Sequence, residues 1–348
     1  SSNEEWHQVI VSKTSSVSRE SFIPVDGCQV TIQDSEGNSF ETTAFGNGVY
    51  KAYIPSNYLM AGHGFKVLIT TPKGEKVESD FDVMPETTAI ENIYHKVENQ
   101  TDLVTGDLHS GVQFYASLAA NKGDKPYLRW KLIETWEYHS AYPIEHYFDG
   151  HVQQVVPPDY SEFYCWTTDQ VDQIFTINTS HLSSDQIEKI PLHFVENTTS
   201  RLGVLYSLLI NQMSLSYESY IYWEQLRINS SVQGDLYPSQ PLAIKGNMHF
   251  VDNEDIEVLG FFQAVGVATH RIFVYPPENL EMNFSDWCDP VLMEHGFGEI
   301  KPRDYPGYLL TIDGDWTMFL MNDECVLCTS RGGTTLMPDF WPSKTPMP

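Results

Sequence analysis

The chain has 348 residues, with 20 Lys and Arg against 47 Asp and Glu and a formal charge of −27 at pH 7. That length suits a buried core and two domains rather than one, and so acidic a surface repels phosphate backbones and anionic headgroups, which argues against nucleic-acid binding. The longest apolar run, over 202–213, is interrupted by Ser207, Asn211 and Gln212 and falls short of the ~20 residues that cross a bilayer as a helix.

Up to Pro85 the pattern is that of a small antiparallel β domain. Cys28-Gln-Val-Thr-Ile-Gln33 alternates faces, Asp34-Ser-Glu-Gly37 turns, 39–43 resumes an extended strand, and Gly46-Asn-Gly48 turns into Val49-Tyr-Lys-Ala-Tyr-Ile54. Residues 64–70 and 76–83 add strands around the Pro72-Lys-Gly74 turn. Short strands with frequent turns predict a sandwich of immunoglobulin or transthyretin type over residues 1–87. Val30, Ile32, Val49, Val67 and Ile69 are its expected inward residues, and Cys28 is expected to be a free thiol filling a core position.

Residues 88–348 are predicted to be a larger, still mainly β, domain. Strands are expected at 113–118, 127–136, 173–177, 191–195, 201–211, 242–250, 259–265 and 270–274. In 127–136, Leu128, Trp130 and Leu132 oppose Arg129 and Lys131, the pattern of a half-exposed strand. One helix follows a cap at Ser214 or Ser216, with Glu218 in its first turn and a stripe of Leu215, Ser219, Tyr222 and Leu226 beside Tyr220 and Trp223. A second, short helix is expected at 183–189. Between strands, 136–150 has neither a strand nor a helix period but carries Trp136, Tyr138, Tyr142 and Tyr147. It reads as a candidate binding loop, or as a loop packed on the sheet.

The cysteines are the strongest chemical signal. Cys325-x-x-Cys328 closes a cysteine-poor chain, with Cys165 and Cys288 far upstream. Thioredoxin-like chemistry wants the first thiol at a helix N-terminus, whereas acidic Asp323 and Glu324 precede this pair and no helix pattern follows. A structural zinc site wants two close pairs. Two disulfides joining Cys165 and Cys288 to Cys325 and Cys328 are therefore expected, the pairing left open, in an oxidising compartment.

The 12 histidines fall in no metal spacing, and no nucleophile elbow, phosphate loop or dinucleotide fingerprint occurs. No cofactor or metal is expected. Asp313-Gly-Asp315 and Asp252-Asn-Glu-Asp255 lack the full calcium-loop period. Glycosylation sequons stand at Asn99, Asn178, Asn197, Asn229 and Asn283, and matter only in a eukaryotic secreted chain.

The run Tyr206-Ser-Leu-Leu-Ile-Asn-Gln212, Tyr222-Trp-Glu-Gln-Leu226, Gln233-Gly-Asp-Leu-Tyr-Pro238 and Ile244-Lys-Gly-Asn-Met-His249 has a recognisable order. With Leu259-Gly-Phe-Phe262, Arg271-Ile-Phe273 and the closing Cys-x-x-Cys, Gly332-Gly333 and Pro338-Asp-Phe-Trp341, it resembles the Bacteroidota lipoproteins grouped as domain of unknown function 4249. Tyr127-Leu-Arg-Trp130, Cys165-Trp166, Pro24-Val-Asp-Gly-Cys28 and Gly48-Val-Tyr50 extend the resemblance over nearly the whole chain, although Cys28 stands where a small residue is usual. The resemblance implies an exported protein whose precursor is lipidated at a cysteine ahead of Ser1, encoded beside TonB-dependent outer-membrane receptors.

The expected function is that of a non-enzymatic cell-envelope lipoprotein, lipid-anchored in the outer membrane. It would be an accessory or subunit of a TonB-dependent receptor complex, its partners a β-barrel receptor and associated lipoproteins, with the C-terminal domain making most of the contact. The alternatives are a purely structural subunit of an outer-membrane assembly and a hydrolase using carboxylates such as Asp286, Asp289 or Asp313.

Overall fold

The computed structural model describes residues 6–15, 21–102, 105–119, 126–180, 186–232, 244–253, 255–284, 288–311 and 318–342. The N-terminal part contributes β1 (Trp6–Ile10), β2 (Gln29–Asp34), β3 (Ser39–Gly46), β4 (Val49–Tyr53), β5 (Gly64–Thr70), β6 (Lys76–Ser79) and β7 (Asp82–Val83). They form one ladder in the order β1-β4-β3-β2-β5-β6, with β7 beside β5. β3 changes partner halfway: its residues 39–41 pair with β2 and its residues 42–46 with β4. The ladder thus folds over, so that Tyr50 of β4 packs against Cys28, Val30, Val67, Ile69 and Val77 of the other half.

Beyond a two-stranded ribbon of Ser12–Lys13 with Ile23–Pro24, the later strands are β8 (Ile90–Thr101), β9 (Leu108–Ala119), β10 (Tyr127–His139), β11 (Ile144–Phe148), β12 (Val152–Asp159), β13 (Tyr164–Gln170), β14 (Phe175–Asn178), β15 (Gln186–Glu196), β16 (Leu205–Leu215), β17 (Lys245–Phe250), β18 (Glu257–Leu259), β19 (Gly266–Val274), β20 (Val291–Leu292), β21 (Gly307–Thr311) and β22 (Met318–Met321). A three-stranded sheet, β8-β9-β15, packs on a five-stranded central sheet, β13-β10-β16-β19 with β14 beside β10. Between them lies the main core, where Phe114, Leu128, Trp130, Leu132, Tyr206, Leu208 and Ile210 are buried. A further sheet runs β12-β11-β21-β22-β20.

The helix α1 (Tyr217–Val232) lies on the opposite face of the central sheet, where Arg129 of β10 meets Trp223. The hydroxyl of Ser216 accepts the backbone N–H of Ser219 at 3.1 Å, satisfying one of the otherwise orphaned first-turn donors.

Several expectations need correction. The first ladder does not end near residue 87: β17 pairs with β6 and β18 with β17, so strands from 245–259 complete it, and Met248, Phe250, Val258 and Phe262 enter its core. The reason is burial, since the apolar face of β6 needs a covering neighbour that the N-terminal residues do not supply. Val49 is only half-buried, while Tyr50 and Ala52 point inward. The Asn47-Gly48 turn, with φ of 52° and 71°, sets that phase. The hydroxyl of Tyr50 then locks it, donating to the Val25 carbonyl and accepting the Cys28 N–H.

The helix expected at 183–189 is absent where that segment is described, because residues 186–189 begin β15, paired with β9. Cross-strand burial of Ile190, Leu192 and Val195 outweighs local helix propensity. Residues 261–265 lie outside the ladders. Asn247 instead holds that segment through both side-chain atoms, accepting the Phe262 N–H and donating to its carbonyl.

Candidate functional site

The aromatic segment expected as a binding loop is a strand–turn–strand. Trp136 and Tyr138 belong to β10 and Tyr147 to β11, with Tyr142 in the connection. Tyr138 is buried and donates its hydroxyl to the Cys328 carbonyl at 3.0 Å. Trp136 packs on the main core, and Tyr142 packs beside Met321, Cys325 and Val326, its N–H donated to the Cys325 carbonyl. Tyr147 pairs with Tyr308 of β21. Trp136, Tyr138 and Tyr142 thus pack into the fold.

The cysteines do the same. Cys165 is bonded to Cys328 and Cys288 to Cys325, across separations of 163 and 37 residues. The close pair stands on the one-turn helix α2 (Asp323–Val326) and the following 3-10 turn, local order that the sequence pattern did not show. From Cys328 the tail wraps the β13 edge: Thr334 bridges Trp166, and Arg331 donates to the His139 carbonyl. Trp341 reaches the opposite sheet face, donating its indole N–H to Glu137 at 2.9 Å. Cys28 is a free, buried thiol.

Two buried carboxylates organise the interior. Glu134 of β10 accepts Nη1 of Arg201 at 3.2 Å, the Tyr206 hydroxyl at 2.9 Å and His193 at 3.4 Å. Burial alone would raise its pKa, but the His193 bond, the Arg201 charge and the Tyr206 bond together hold it below the ordinary value. Asp82 of β7 accepts the Ala264 N–H at 2.7 Å and the Ser219 hydroxyl at 3.1 Å, joining the first ladder, α1 and the 261–265 segment. Here burial dominates and pushes the pKa up. Both carboxylates are buried, at 7% and 4% exposure. Asp289 is described, whereas Asp286 and the Asp313–Asp315 pair lie outside the described residues. Among the described residues no cluster of three metal-ligating side chains occurs.

One opening lies at the folded first ladder. A cavity of about 1670 Å³ is bounded by β1, β5 and β6 on the N-terminal side and by 248–267 on the other. Its lining mixes apolar residues, among them Val9, Ile32, Phe65, Met84, Phe250, Val258 and Phe262, with polar ones that include His7, Lys13, Lys73, Asp26, Glu75 and Glu86. Its volume exceeds that of an ordinary small-ligand pocket. Beside it, on the outer face of the same ladder, Trp6 stacks edge-on to Tyr53 at 5.5 Å, and Lys51 sits over Phe45 at 4.9 Å. Trp6, Ile10, Phe45 and Tyr53 are 53%, 55%, 58% and 43% exposed.

Sequence reasoning missed both features. The outward patch had a signal: Trp6-His-Gln-Val-Ile10 puts apolar residues on both faces of one short strand, and the outer set has no core to enter. The cavity had none, because its far wall comes from residues more than 160 positions away in the chain.

Residues 1–271 match the family model described as Domain of unknown function (DUF4249). The match ends before Cys288 and the closing Cys-x-x-Cys. No curated protein matches the chain.

Proposed function

The chain belongs to the DUF4249 family, and from that premise we propose that it is a non-enzymatic binding protein of the bacterial cell envelope. In this reading it is a lipoprotein of a Bacteroidota outer membrane and an accessory subunit of a TonB-dependent receptor complex. The observation that carries it is the exposed aromatic strip on β1, β3 and β4, where Trp6, Ile10, Phe45 and Tyr53 lie on one ladder face. Large rigid aromatics left in water in this grouping favour a protein partner, and an acidic body with a local apolar strip restricts which partner can approach. Two disulfides fit a protein exported to an oxidising compartment.

The strip lies in the N-terminal ladder, so the docking contact is assigned there rather than to the C-terminal domain. Its occupant is the receptor barrel or a lipoprotein bound to it. Cross-linking in intact cells, followed by mass spectrometry, tests this. Wild-type protein should yield links from the β1–β4 face to a barrel receptor, and Trp6→Ser with Phe45→Ser should abolish them while the protein stays folded. Links running only to itself, or turnover of a small substrate by the purified monomer, would overturn the reading. The cavity of about 1670 Å³ supports a second role, capture of an apolar ligand within the same ladder.

A further inference from the structure

Among the described residues, the outer face of the central sheet is covered at both ends and open in the middle. α1 covers one end, above Tyr127 and Arg129. Phe340 and Trp341 cover the other, above Arg271 and Phe273. Cross-strand register places Lys131 of β10 opposite Asn211 of β16, and Asn211 opposite Thr269 of β19. The next row is Ile133, Leu209 and Arg271. Lys131, Ile133, Leu209, Asn211 and Arg271 are half-buried and Thr269 is exposed, so this stretch has access to solvent.

Three cations share this face in a chain that has only 20. Arg129 stacks its guanidinium on the Trp223 ring at 3.5 Å and, among the described residues, donates to the Met213 sulfur and leaves Nε buried without a partner. Arg271 stacks on Phe340 at 3.5 Å and donates to the Ser207 hydroxyl. None of the three joins an ion pair among the described residues, whereas Lys66, Arg201, Arg227 and Arg303 all do. Two acids near this face are already engaged, Glu224 by Arg227 and Thr176, and Glu137 by Trp341 and His139. In a protein of charge −27, an uncompensated cation cluster is the opposite of what a generic surface would carry.

We propose that this stretch, together with the two arginines at the edges of its covers, is a binding site for a small polyanion of carboxylate or phosphate chemistry. Arg129 and Lys131 hold one oxyanion group and Arg271 a second, with the Asn211 amide between them. Strand spacing and rise put the Cα atoms of Lys131 and Arg271 about 12 Å apart, which two long side chains close onto a ligand with two anionic ends. The planar guanidinium matches a carboxylate or phosphate edge, and its stacking on Trp223 fixes its orientation before the ligand arrives. Burial depresses Arg129 to about 10 and lowers Arg271 as well, the mark of cations that lack counter-charge.

This site is distinct from the β1–β4 docking strip and is tested on the purified protein alone. Calorimetric titration with citrate and, separately, with inorganic pyrophosphate at low ionic strength should show saturable binding of at least one, with Kd below about 1 mM. The responding probe tells carboxylate from phosphate chemistry. Lys131→Gln, a half-buried position that leaves packing intact, should weaken binding at least about tenfold, as should Arg129→Gln where it folds. Arg303→Gln, remote and exposed, should leave binding unchanged. No saturable binding of either probe, or an equal loss in the Arg303→Gln control, would overturn the proposal.

Discussion

The Tyr138 hydroxyl stands where a side chain at position 333 would have to go: a Cβ built on Gly333 falls against that oxygen and within 3.1 Å of the Cys165 Cβ. The same hydroxyl donates to the Cys328 carbonyl at 3.0 Å. Gly332-Gly333 is thus required by the docking of the tail, and it is Gly333's lack of a side chain that matters.

Gly333→Ala should therefore lower the unfolding midpoint by the cost of overpacking, about 1–3 kcal/mol. Tyr138→Phe alone should cost about 1 kcal/mol through the lost hydrogen bond. Combining them should cost less than their sum, because removing the hydroxyl removes part of the clash. Urea unfolding of the four proteins measures the coupling, and strict additivity would show that the two residues do not meet.

The two disulfides close loops of very different length. For separations of 163 and 37 residues the chain-entropy model gives about 5 and about 4 kcal/mol. Cys165→Ser should be the more damaging single change and should release the tail, exposing Trp341 to fluorescence quenchers. Non-reducing peptide mapping should recover Cys165 with Cys328 and Cys288 with Cys325, and a peptide joining Cys325 to Cys328 would contradict the fold.

Asp82 predicts an unusual pH dependence. Its folded pKa lies above the ordinary 3.8 because burial outweighs the bonds from Ser216, Ala264 and Ser219. The folded state holds the proton more tightly, so this group makes stability fall as pH rises through the window between 3.8 and the raised value, and its ionisation burdens the fold at neutral pH. Asp82→Asn should flatten that part of the stability curve, while Asp82→Ala should cost about 1–3 kcal/mol by leaving the Ala264 N–H unpaired. Thermal melts across pH 4 to 8 distinguish the two variants.

Glu134 has the opposite sign. Its folded pKa lies below the ordinary 4.5, because the His193 bond and the Arg201 charge outweigh burial. Its contribution is therefore present above 4.5 and lost as pH falls through the folded value. Arg201→Met should cost about 3–5 kcal/mol at neutral pH, since it strips the main charge from a buried carboxylate. Adding Glu134→Gln should recover much of that loss, and a double variant no better than the single one would refute the pairing.

What the sequence determined by itself was local period and chemistry. Leu128, Trp130 and Leu132 alternating with Arg129 and Lys131 defined β10 and its two faces; a serine cap before Glu218 and the Ser219, Tyr222 and Leu226 stripe marked α1, although Leu215 of that stripe ends β16; Cys28 among apolar alternates was legible as a buried thiol. Such signals survive because side-chain period and capping depend on neighbours a few residues apart. What only the tertiary structure decided was which distant segments share an edge or a face. β17 and β18 complete the first ladder because β6 needed a partner, and residues 186–189 became strand because β9 offered an apolar edge. Tyr138, beyond the strand expected over 127–136, was drawn into β10 once β13 and β16 flanked it, and Arg129 met Trp223 only when α1 folded across the sheet. Pairing between distant strands is selected by the apolar area it buries and the backbone bonds it completes, and neither quantity exists until both partners are in place.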